Sequence, residues 1–355
     1  MKSKTNIFGL TLSDLQKFCL DKQLPKFVSK QICEWLYAKN ANNFAQMSNI
    51  SLKIRELLSE NFEILKAMPV ENQTSSDGTI KYLFANLNVG THLTDDFVTK
   101  TDTKNAKYET VYMPATDRHT LCISSQIGCR MACSFCATGK MGFKGNLTTA
   151  EILSQLVSIP ERGKITNFVF MGMGEPMDNL NEVLKTLEIL TSDWGYKFSP
   201  RRITVSTIGI IPEMERFINE SECHLAVSMH SPFDFERQKL MPIQKKHPIT
   251  DVVAVLKKYD WSHQRRLSFE YILFPEINDN YRHIDEIAKL LKGLFCRVNV
   301  IKFHPNNERD FKEATQENLD DFRDKLNDRG IIATVRKSRG EDIMASCGLL
   351  AGKID

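Results

Sequence analysis

The stretch Cys129-Arg-Met-Ala-Cys133-Ser-Phe-Cys136 places three cysteines within eight residues and decides how the rest of the chain is interpreted. Cysteine thiolates are the usual ligands of iron–sulfur clusters, whose cubane form contains four irons. The next cysteine along the chain is Cys223, so this loop leaves one iron open to bind a small molecule through amine and carboxylate groups. A structural zinc ion usually takes four protein ligands, often from two CxxC-like pairs, and the chain has no second pair. The pattern therefore favours an iron–sulfur cluster over zinc and over three unligated thiols.

The 355-residue chain is long enough for two or three domains and has the composition of a soluble globular protein, with 42% hydrophobic and 26% charged residues. No run of about 18 apolar residues occurs, so we expect no transmembrane helix. The N-terminus leads into a polar stretch without the apolar segment of a secretory signal, so a cytoplasmic location is expected. The nine cysteines are an odd number, which argues against a disulfide framework.

The net charge is only +3, but basic residues occur in four local clusters. Each cluster alone is typical of a solvated surface. Several clusters on one core would form a surface able to bind the phosphate backbone of a nucleic acid. The clusters are Arg201-Arg202, Lys245-Lys246, Arg265-Arg266 and Arg336-Lys-Ser-Arg339.

Three regions of the chain differ in their sequence pattern. Residues 1–65 are typical of an N-terminal helical accessory domain, in which Thr11-Leu-Ser-Asp14 fits a capping box before an apolar periodic run. Residues 66–117 are predicted to form a small β region that contains a long polar loop or extra hairpin at 88–106. Residues 118–355 form the predicted core, which ends in a Gly-rich cysteine loop. The first two regions are predicted to contain helices at Lys26–Ala38 and Ser51–Asn61, strands at Ile80–Leu87 and Tyr108–Met113, and a turn at Ser76-Asp77-Gly78.

From Thr120 onward, strand-like runs alternate with helical patterns, which indicates an α/β fold with a parallel sheet. Six such units predict an open, partial (βα)6 barrel, whose active site is expected at the C-terminal ends of the strands. One helix, predicted at Thr148–Ile159, opens with a capping box. The other predicted helices are Asn179–Thr191, Asp251–Tyr259 and Tyr281–Leu291, and the predicted strands are Thr120–Ser125, Ile165–Met171, Arg202–Ser206, His224–Met229, Leu267–Leu273 and Arg297–Phe303.

Candidate polar groups follow five of the six predicted strands. The cysteine loop follows the first strand, and Gly172-Met-Gly-Glu175-Pro176 follows the second. Because the ends of parallel strands meet at one face of a barrel, we expect these groups to converge on one site. The remaining candidates are Ser206 after the third strand, Ser228 and His230 after the fourth, and His304 after the sixth.

The cysteine spacing, with Phe135 before the last cysteine, matches the radical S-adenosylmethionine (SAM) superfamily. The segment that begins at Gly172 resembles the one that contacts the SAM amino group there, although alone it would be an ordinary Gly-rich βα loop. Two more cysteines leave two interpretations open. Cys122 is either a small buried hydrophobic residue or a functional thiol, and Cys347, in a loop expected to be mobile, is either an inert exposed thiol or a functional one.

The chain as a whole resembles the RlmN/Cfr family of radical SAM RNA adenine methyltransferases, and more closely the RlmN side. Its N-terminal helices are similar to the RNA-binding accessory domain of that family. Glu175-Pro176 and the segment from Val335 to Gly340 are RlmN-like, whereas Ile208-Gly-Ile-Ile-Pro212 also occurs in Cfr-like proteins. The matching blocks are Tyr108–Pro114, Leu121–Gly139, Phe170–Pro176, Arg201–Gly209, Val227–Pro232, Thr334–Asp342 and Ser346–Gly348.

The resemblance implies a role for individual residues. Cys347 would be methylated by one SAM, Cys122 would later resolve a covalent protein–RNA intermediate as a disulfide, and Glu109 would be the proton acceptor. Cys129, Cys133 and Cys136 would hold one [4Fe-4S] cluster. The residues that align with SAM contacts are Gly174, Glu175, Ser206, Ser228, Met229 and His230, together with His304 at a position where the family commonly has asparagine.

The resemblance also implies the reaction and the partners. Adenine C2 is not a nucleophile, so polar displacement from SAM cannot methylate it, but a radical route that uses two SAM molecules per turnover can. The expected product is 2-methyladenosine in the peptidyl-transferase centre of 23S rRNA and in tRNA, 3′ of the anticodon. The expected partners are these RNAs and an electron donor such as flavodoxin or ferredoxin, with a monomeric protein. The alternatives are Cfr-like C8 methylation, a radical SAM enzyme acting on a small molecule, and a non-catalytic RNA- or zinc-binding protein.

Overall fold

The computed structural model describes residues 4–87, 106–263, 265–305 and 311–351. The predicted loop or hairpin at 88–106 lies outside these ranges except for its last residue. The α-helices are α1 (Leu12–Asp21), α2 (Phe27–Cys33), α3 (Leu52–Asn61), α4 (Ala137–Lys140), α5 (Thr149–Val157), α6 (Leu180–Thr191), α7 (Ile211–Glu220), α8 (Asp234–Leu240), α9 (Ile249–Leu256), α10 (Tyr281–Leu291) and α11 (Gln316–Asp328). The strands are β1 (Thr5–Asn6), β2 (Phe62–Glu63), β3 (Pro69–Thr74), β4 (Ile80–Ala85), β5 (Lys107–Pro114), β6 (His119–Cys122), β7 (Gln126–Ile127), β8 (Gly145–Asn146), β9 (Asn167–Phe170), β10 (Ile203–Thr207), β11 (His224–Ser228), β12 (Leu267–Leu273), β13 (Arg297–Lys302) and β14 (Ile332–Arg336).

The core is one ten-stranded sheet in the order β14-β13-β12-β11-β10-β9-β6-β5-β4-β3. Within this sheet β6 and β9 to β14 pair in parallel, and β5, β4 and β3 continue it with antiparallel pairing. The prediction of an α/β fold with a parallel sheet is confirmed. All seven residues of β12 are buried and five of them are apolar, as expected for a parallel strand that is covered on both faces.

The sheet contains two strands that the sequence pattern did not predict. Strand β14 is a seventh parallel strand beyond the predicted six, and β3 forms the opposite edge. Only Ala333 of β14 is buried, and β3 has no buried residue. Edge strands bury little surface, so neither has the apolar run by which an inner strand is recognised. The predicted β region also does not form a sheet of its own, because β3, β4 and β5 extend the core sheet.

The helices begin where side-chain caps were predicted. Thr11 and Asp14 form a reciprocal capping box at α1, with N···O distances of 3.0 and 3.2 Å, and Thr148 and Glu151 do the same at α5. Such boxes satisfy backbone N–H groups that have no partner within the helix. Helix α2 continues as a single π-helical turn at Glu34–Ala38. None of the described helices is both long and apolar enough to cross a membrane.

The N-terminal helices pack directly on the core. The short strands β1 and β2 pair in parallel and join the beginning of this segment to its end. The Tyr37 ring contacts Trp194 and Tyr196, with centroids 5.9 and 5.7 Å apart. The backbone of Gly9 lies so close to helix α5 that a Cβ there would be 2.7 Å from the Ala150 nitrogen. The predicted helical character of residues 1–65 is therefore observed, while the predicted domain boundaries remain predictions.

The turn between β3 and β4 bridges the open side of the partial barrel. Asp342 accepts hydrogen bonds from the Ser75 hydroxyl (2.5 Å) and the Ser76 N–H (3.0 Å). Asp77 accepts one from the Gly340 N–H (3.2 Å) and lies 3.7 Å from the Arg339 guanidinium. These contacts fix the segment that follows β14, and that segment leads to the loop containing Cys347.

Candidate active site

The three-cysteine loop follows β7 and is held by its own backbone. The Cys129 N–H donates to the Gly142 carbonyl and the Cys136 N–H to the Cys133 carbonyl, both at 3.2 Å. Burial raises the pKa of the Cys129 thiol to about 12 and that of Cys133 well above its usual range, and the charges of neighbouring cysteines add to both shifts. Thiols in such surroundings ionise readily only when a metal supplies positive charge. The loop therefore provides three mutually close, buried sulfurs that suit bound iron.

The arrangement of these sulfurs fits a cluster. The three thiols are close enough for their charges to interact, although within the described ranges no three His, Cys, Asp or Glu side chains converge as ligands of a single metal ion do. In a [4Fe-4S] cluster each cysteine binds a different iron. The three thiols of one loop are the donor set that the sequence predicts for such a cluster, whereas a structural zinc ion usually takes four protein ligands.

Glycines bring the end of β9 close to the end of β6. A Cβ on Gly172 would be 2.7 Å from the Ile123 carbonyl oxygen. Gly174 has a φ of +97°, and a Cβ there would be 2.4 Å from the Gln126 Cβ, so both features require glycine. The close approach lets Gln126 accept a hydrogen bond from the Glu175 N–H at 2.9 Å.

The buried Glu175 carboxyl group links the ends of β9 and β10. It accepts hydrogen bonds from the N–H groups of Met177 (3.1 Å) and Ile208 (3.0 Å). Burial raises its pKa to about 7, despite these hydrogen bonds and one with Thr207. The carboxyl group lies near enough to Cys129 and Cys133 to influence their thiols. The structure therefore brings the second predicted motif to the cysteine loop.

The ends of β10 and β11 carry the next predicted residues. Ser206 and Ser228 are half-buried, while Met229 and His230 are buried. His230 has a φ of +55°, and its Nδ1 accepts a hydrogen bond from the Ile272 N–H at 2.9 Å. Burial lowers its pKa to about 3, so the ring is neutral and carries its proton on Nε2. Its edge contacts Phe135 of the cysteine loop, with centroids 4.9 Å apart.

Arg237 holds these strand ends together, and sequence reasoning missed it. Its side chain is fully buried, and its guanidinium donates to the carbonyls of Ile208 (2.8 Å), Ser228 (3.0 Å) and Met229 (3.2 Å). Burial lowers its pKa to about 10. The short helix α8 offers no sequence signal that would separate this arginine from its exposed neighbours.

One cavity contains both of the cysteines that sequence reasoning left open. Cys122, at the end of β6, and Cys347 line it together with Arg336 and His304. Burial raises the pKa of Cys122 to about 12; the charge of Cys347 acts in the same direction, while that of Arg336 lowers it. Both cysteines are free thiols in the structure. Cys122 is thus a buried core residue whose side chain also lines this cavity.

The Cys347 loop is hydrogen-bonded to the residues that follow Cys136, although it was expected to be mobile. The Ala137 N–H donates to the Gly348 carbonyl at 2.8 Å, and the Thr138 hydroxyl donates to the Leu350 carbonyl at 2.7 Å. These bonds place the loop directly against the three-cysteine loop. Cys347 is thereby close enough to influence the Cys136 thiol.

Arg336 and His304 complete the wall of this cavity. The Arg336 guanidinium contacts the Met171 sulfur at 2.8 Å and lies 3.6 Å from Glu270. His304 Nε2 shares a hydrogen bond of 2.7 Å with the Ser338 hydroxyl, and burial lowers its pKa. His304 was expected to contact SAM, and the structure puts it on the same cavity as Cys122 and Cys347. Arg336 belongs to a basic cluster visible in the sequence, which was the only available signal for it.

Glu109, expected from the family resemblance to be the proton acceptor, is fully buried. Five consecutive residues of β5, from Tyr108 to Tyr112, are buried, so both faces of the strand are covered. The Glu109 carboxylate lies 3.5 Å from the Lys81 ammonium, which is also buried. Its Oε2 accepts a hydrogen bond from the Ala351 N–H at 2.9 Å. Glu109 thus contacts the end of the Cys347 loop, and Lys81 is a second residue that sequence reasoning missed.

Comparisons with known proteins agree with this geometry. Residues 123–291 match the family model of the Radical SAM superfamily, and residues 5–64 match that of the Ribosomal RNA large subunit methyltransferase N-terminal domain. The chain is 51% identical over 348 residues to a probable dual-specificity RNA methyltransferase RlmN of Phocaeicola vulgatus, covering 98% of this chain and 95% of that protein. It is 38% identical over 355 residues to the dual-specificity RNA methyltransferase RlmN of Geobacter sulfurreducens, covering 100% and 94%. A crystal structure of a radical SAM methyltransferase from Sphaerobacter thermophilus superposes with a TM-score of 0.86 at 36% identity, covering 98% of this chain and all of that one.

Proposed function

Because this chain belongs to the RlmN family of radical SAM dual-specificity RNA methyltransferases, we propose that it forms 2-methyladenosine through a methylated cysteine. The RNA substrates are the peptidyl-transferase-centre adenosine of 23S rRNA and the tRNA adenosine 3′ of the anticodon. The observation that carries the proposal is the shared cavity of Cys122 and Cys347 beside the three-cysteine loop. A small-molecule radical SAM enzyme would have no need of this pair of thiols.

In this proposal Cys129, Cys133 and Cys136 hold the cluster. Gly174, Glu175, Ser206, Ser228, Met229 and His230 line the ends of three neighbouring strands, where they would bind SAM. When bound, the cluster supplies the electron for reductive cleavage of SAM, and SAM supplies both the methyl group and the carbon radical. The protein fixes where those groups lie. The Arg237 guanidinium contributes by holding the ends of two of these strands in position.

Cys347 is proposed to accept the methyl group. Its sulfur attacks the SAM methyl carbon as a thiolate, a new C–S bond forms, and S-adenosylhomocysteine leaves. The Arg336 guanidinium lines the same cavity as Cys347. One hydrogen atom passes from this methyl group to the carbon radical that SAM supplies, and the resulting methylene carbon of Cys347 bonds to adenine C2. The adduct then gives up one electron, which the oxidised cluster would accept.

Cys122 and Glu109 are proposed to complete the reaction. Glu109 accepts the proton that leaves the adenine ring. Cys122 then attacks the Cys347 sulfur as a thiolate, so that a disulfide forms while the bond between Cys347 and the RNA breaks. The electron pair of the broken C–S bond stays on the methylene carbon, which takes up a proton and becomes the methyl group. The common cavity supports this step, because thiol–disulfide exchange needs direct access of one sulfur to the other.

Nucleoside analysis tests the proposal. RNA from cells with and without this protein is digested, and the methylated adenosines are separated by mass spectrometry. We expect 2-methyladenosine in 23S rRNA and in tRNA to depend on the protein. Appearance of 8-methyladenosine instead would establish the Cfr-like reaction, and an unchanged nucleoside profile would overturn the proposed activity.

A further inference from the structure

A second and larger cavity, of about 510 Å³, opens at the end of the parallel sheet opposite the cysteine loop. Its wall includes the first residues of three parallel strands, Asn167, His224 and Arg297. The cysteine loop instead follows the C-terminal end of β6. The two cavities share Met113, Met171, Arg336, Lys337 and Arg339. The larger cavity therefore leads from the surface toward Cys122 and Cys347.

Basic side chains surround this opening. Six of them form what we call the basic mouth: Arg118, Arg201, Arg202, Arg266, Arg297 and Lys337. Glu270 is the only acidic residue in the described wall, and it already lies 3.6 Å from the Arg336 guanidinium. None of the six forms an ion pair with another described residue. Arg202 alone has a side-chain hydrogen bond there, with Asn167 at 3.3 Å.

Two of these cations, Arg266 and Arg297, lie close to one buried histidine. His224 lies in the wall of the cavity, and its Nδ1 accepts a hydrogen bond from the Arg266 N–H at 2.9 Å. Burial, together with the charges of Arg266, Arg265 and Arg297, lowers the pKa of His224 to about 4. Cations gathered without carboxylate partners repel one another and create a positive potential that attracts anions. The basic mouth is thus a site prepared for a polyanion.

We propose that the basic mouth binds the phosphates of the RNA nucleotides that flank the target adenosine, and that the target base enters through it toward Cys347. The proposal rests on the proposed RNA methylation and assigns its substrate surface. Three of the four basic clusters in the sequence contribute to the wall, through Arg201-Arg202, Arg266 and the segment that begins at Arg336. Phosphate contacts by arginine and lysine position a nucleic acid without reading its sequence.

An RNA fits this opening better than an acidic protein does. A protein that delivers electrons must approach the three-cysteine loop, which lies at the other end of the strands. The opening is also concave and continuous with the cavity of Cys347. A single extruded base can enter such a channel while its backbone phosphates remain at the rim.

The test compares two double variants that each remove two positive charges. R201Q/R266Q neutralises two exposed arginines of the basic mouth, and K245Q/K246Q neutralises two exposed lysines that do not line the cavity. The cluster-containing protein is titrated with a 23S rRNA hairpin and a tRNA transcript at several salt concentrations, without turnover. Each lost phosphate contact reduces the slope of log affinity against log salt by about 0.7 to 0.9. We expect R201Q/R266Q to reduce the slope by about 1.5 and K245Q/K246Q to leave it unchanged.

The possible outcomes separate this inference from the proposed function. An unchanged slope for R201Q/R266Q, or an equal fall for the control variant, overturns the assignment even when the wild-type protein methylates RNA. Loss of reduction by flavodoxin with RNA binding intact would assign the basic mouth to the electron donor and also overturn it. A wild-type protein that shows the expected slopes but makes no 2-methyladenosine would refute the proposed function and support the RNA site.

Discussion

Substituting Lys81 by methionine is expected to destabilise the protein strongly, because the substitution removes the cation next to the buried Glu109 carboxylate. The two charged groups are 3.5 Å apart, and their side chains are 3% and 0% exposed. At that distance and an effective dielectric constant of about 20, their attraction is about 5 kcal/mol before desolvation is subtracted. Removing one member of such a pair costs about 3–5 kcal/mol, because the remaining charge stays buried. We expect a loss of that size in the free energy of unfolding.

The matched control for this prediction is the double variant K81M/E109Q. Replacing both members of a buried ion pair by neutral groups is often close to neutral for stability, so we expect the double variant to lie within about 1 kcal/mol of the wild type. The assay is anaerobic urea unfolding of the cluster-containing protein, comparing midpoints among variants with equal m-values. A loss below about 1 kcal/mol for K81M, or a double variant as unstable as K81M, would refute the electrostatic reasoning.

The same double variant separates the structural role of Glu109 from its proposed chemical role. A glutamine at position 109 can still accept the Ala351 hydrogen bond through its amide oxygen, but it is a poor proton acceptor. We expect K81M/E109Q to fold, bind iron and acquire the methyl group on Cys347, yet fail to release methylated RNA. Full methylation by this variant would remove Glu109 from the mechanism and leave it a structural residue.

Three further predictions concern single residues. Cys347→Ala is expected to abolish RNA methylation while iron and sulfide contents stay at the wild-type level, and loss of iron would instead make Cys347 a cluster ligand. Cys122→Ala is expected to accumulate a protein–RNA crosslink that survives denaturing electrophoresis, so clean turnover would exclude its resolving role. Because burial lowers the pKa of His224 to about 4, the wild type should lose stability as pH falls from about 6.5 to about 4, where a buried neutral histidine must become charged. His224→Gln should show a weaker pH dependence of urea unfolding over this range, and an identical dependence would contradict the assignment.

Features that depend on local sequence were predictable. The capping boxes at Thr11 and Thr148 involve residues three positions apart, so the sequence alone contains both partners. The inner parallel strands are covered on both faces and are therefore rich in apolar residues, as β12 illustrates with five of its seven positions. The cysteine loop and the segment from Gly172 to Glu175 were predicted to meet because successive parallel strands end at one face. The hydrogen bond from the Glu175 N–H to Gln126 fulfils that expectation.

Features that depend on distant partners were not predictable from pattern. Arg237 resembles any charged residue on a short helix, and only the carbonyls of two strand ends reveal its role. The residues around Glu109 do not distinguish it from a solvated glutamate on a strand, and the covering of both faces of β5 is a property of the whole fold. Strand β14 lies at an edge and buries almost nothing, so its apolar signal is weak. In each case the deciding partner is far away in the sequence.

The contacts of the Cys347 loop bear on how the proposed chemistry can proceed. The segment that leads into the loop is fixed at Asp342, which accepts two hydrogen bonds from the turn between β3 and β4. Its far end instead covers the Glu109 carboxylate, through one hydrogen bond from the Ala351 N–H. Glu109 can accept a proton from an RNA base only after that end has moved aside, because the carboxylate is fully buried. The same end is also held at Gly348 and Leu350 by hydrogen bonds from Ala137 and Thr138. Methyl transfer to Cys347 and proton removal from the RNA base would therefore require different positions of the same loop.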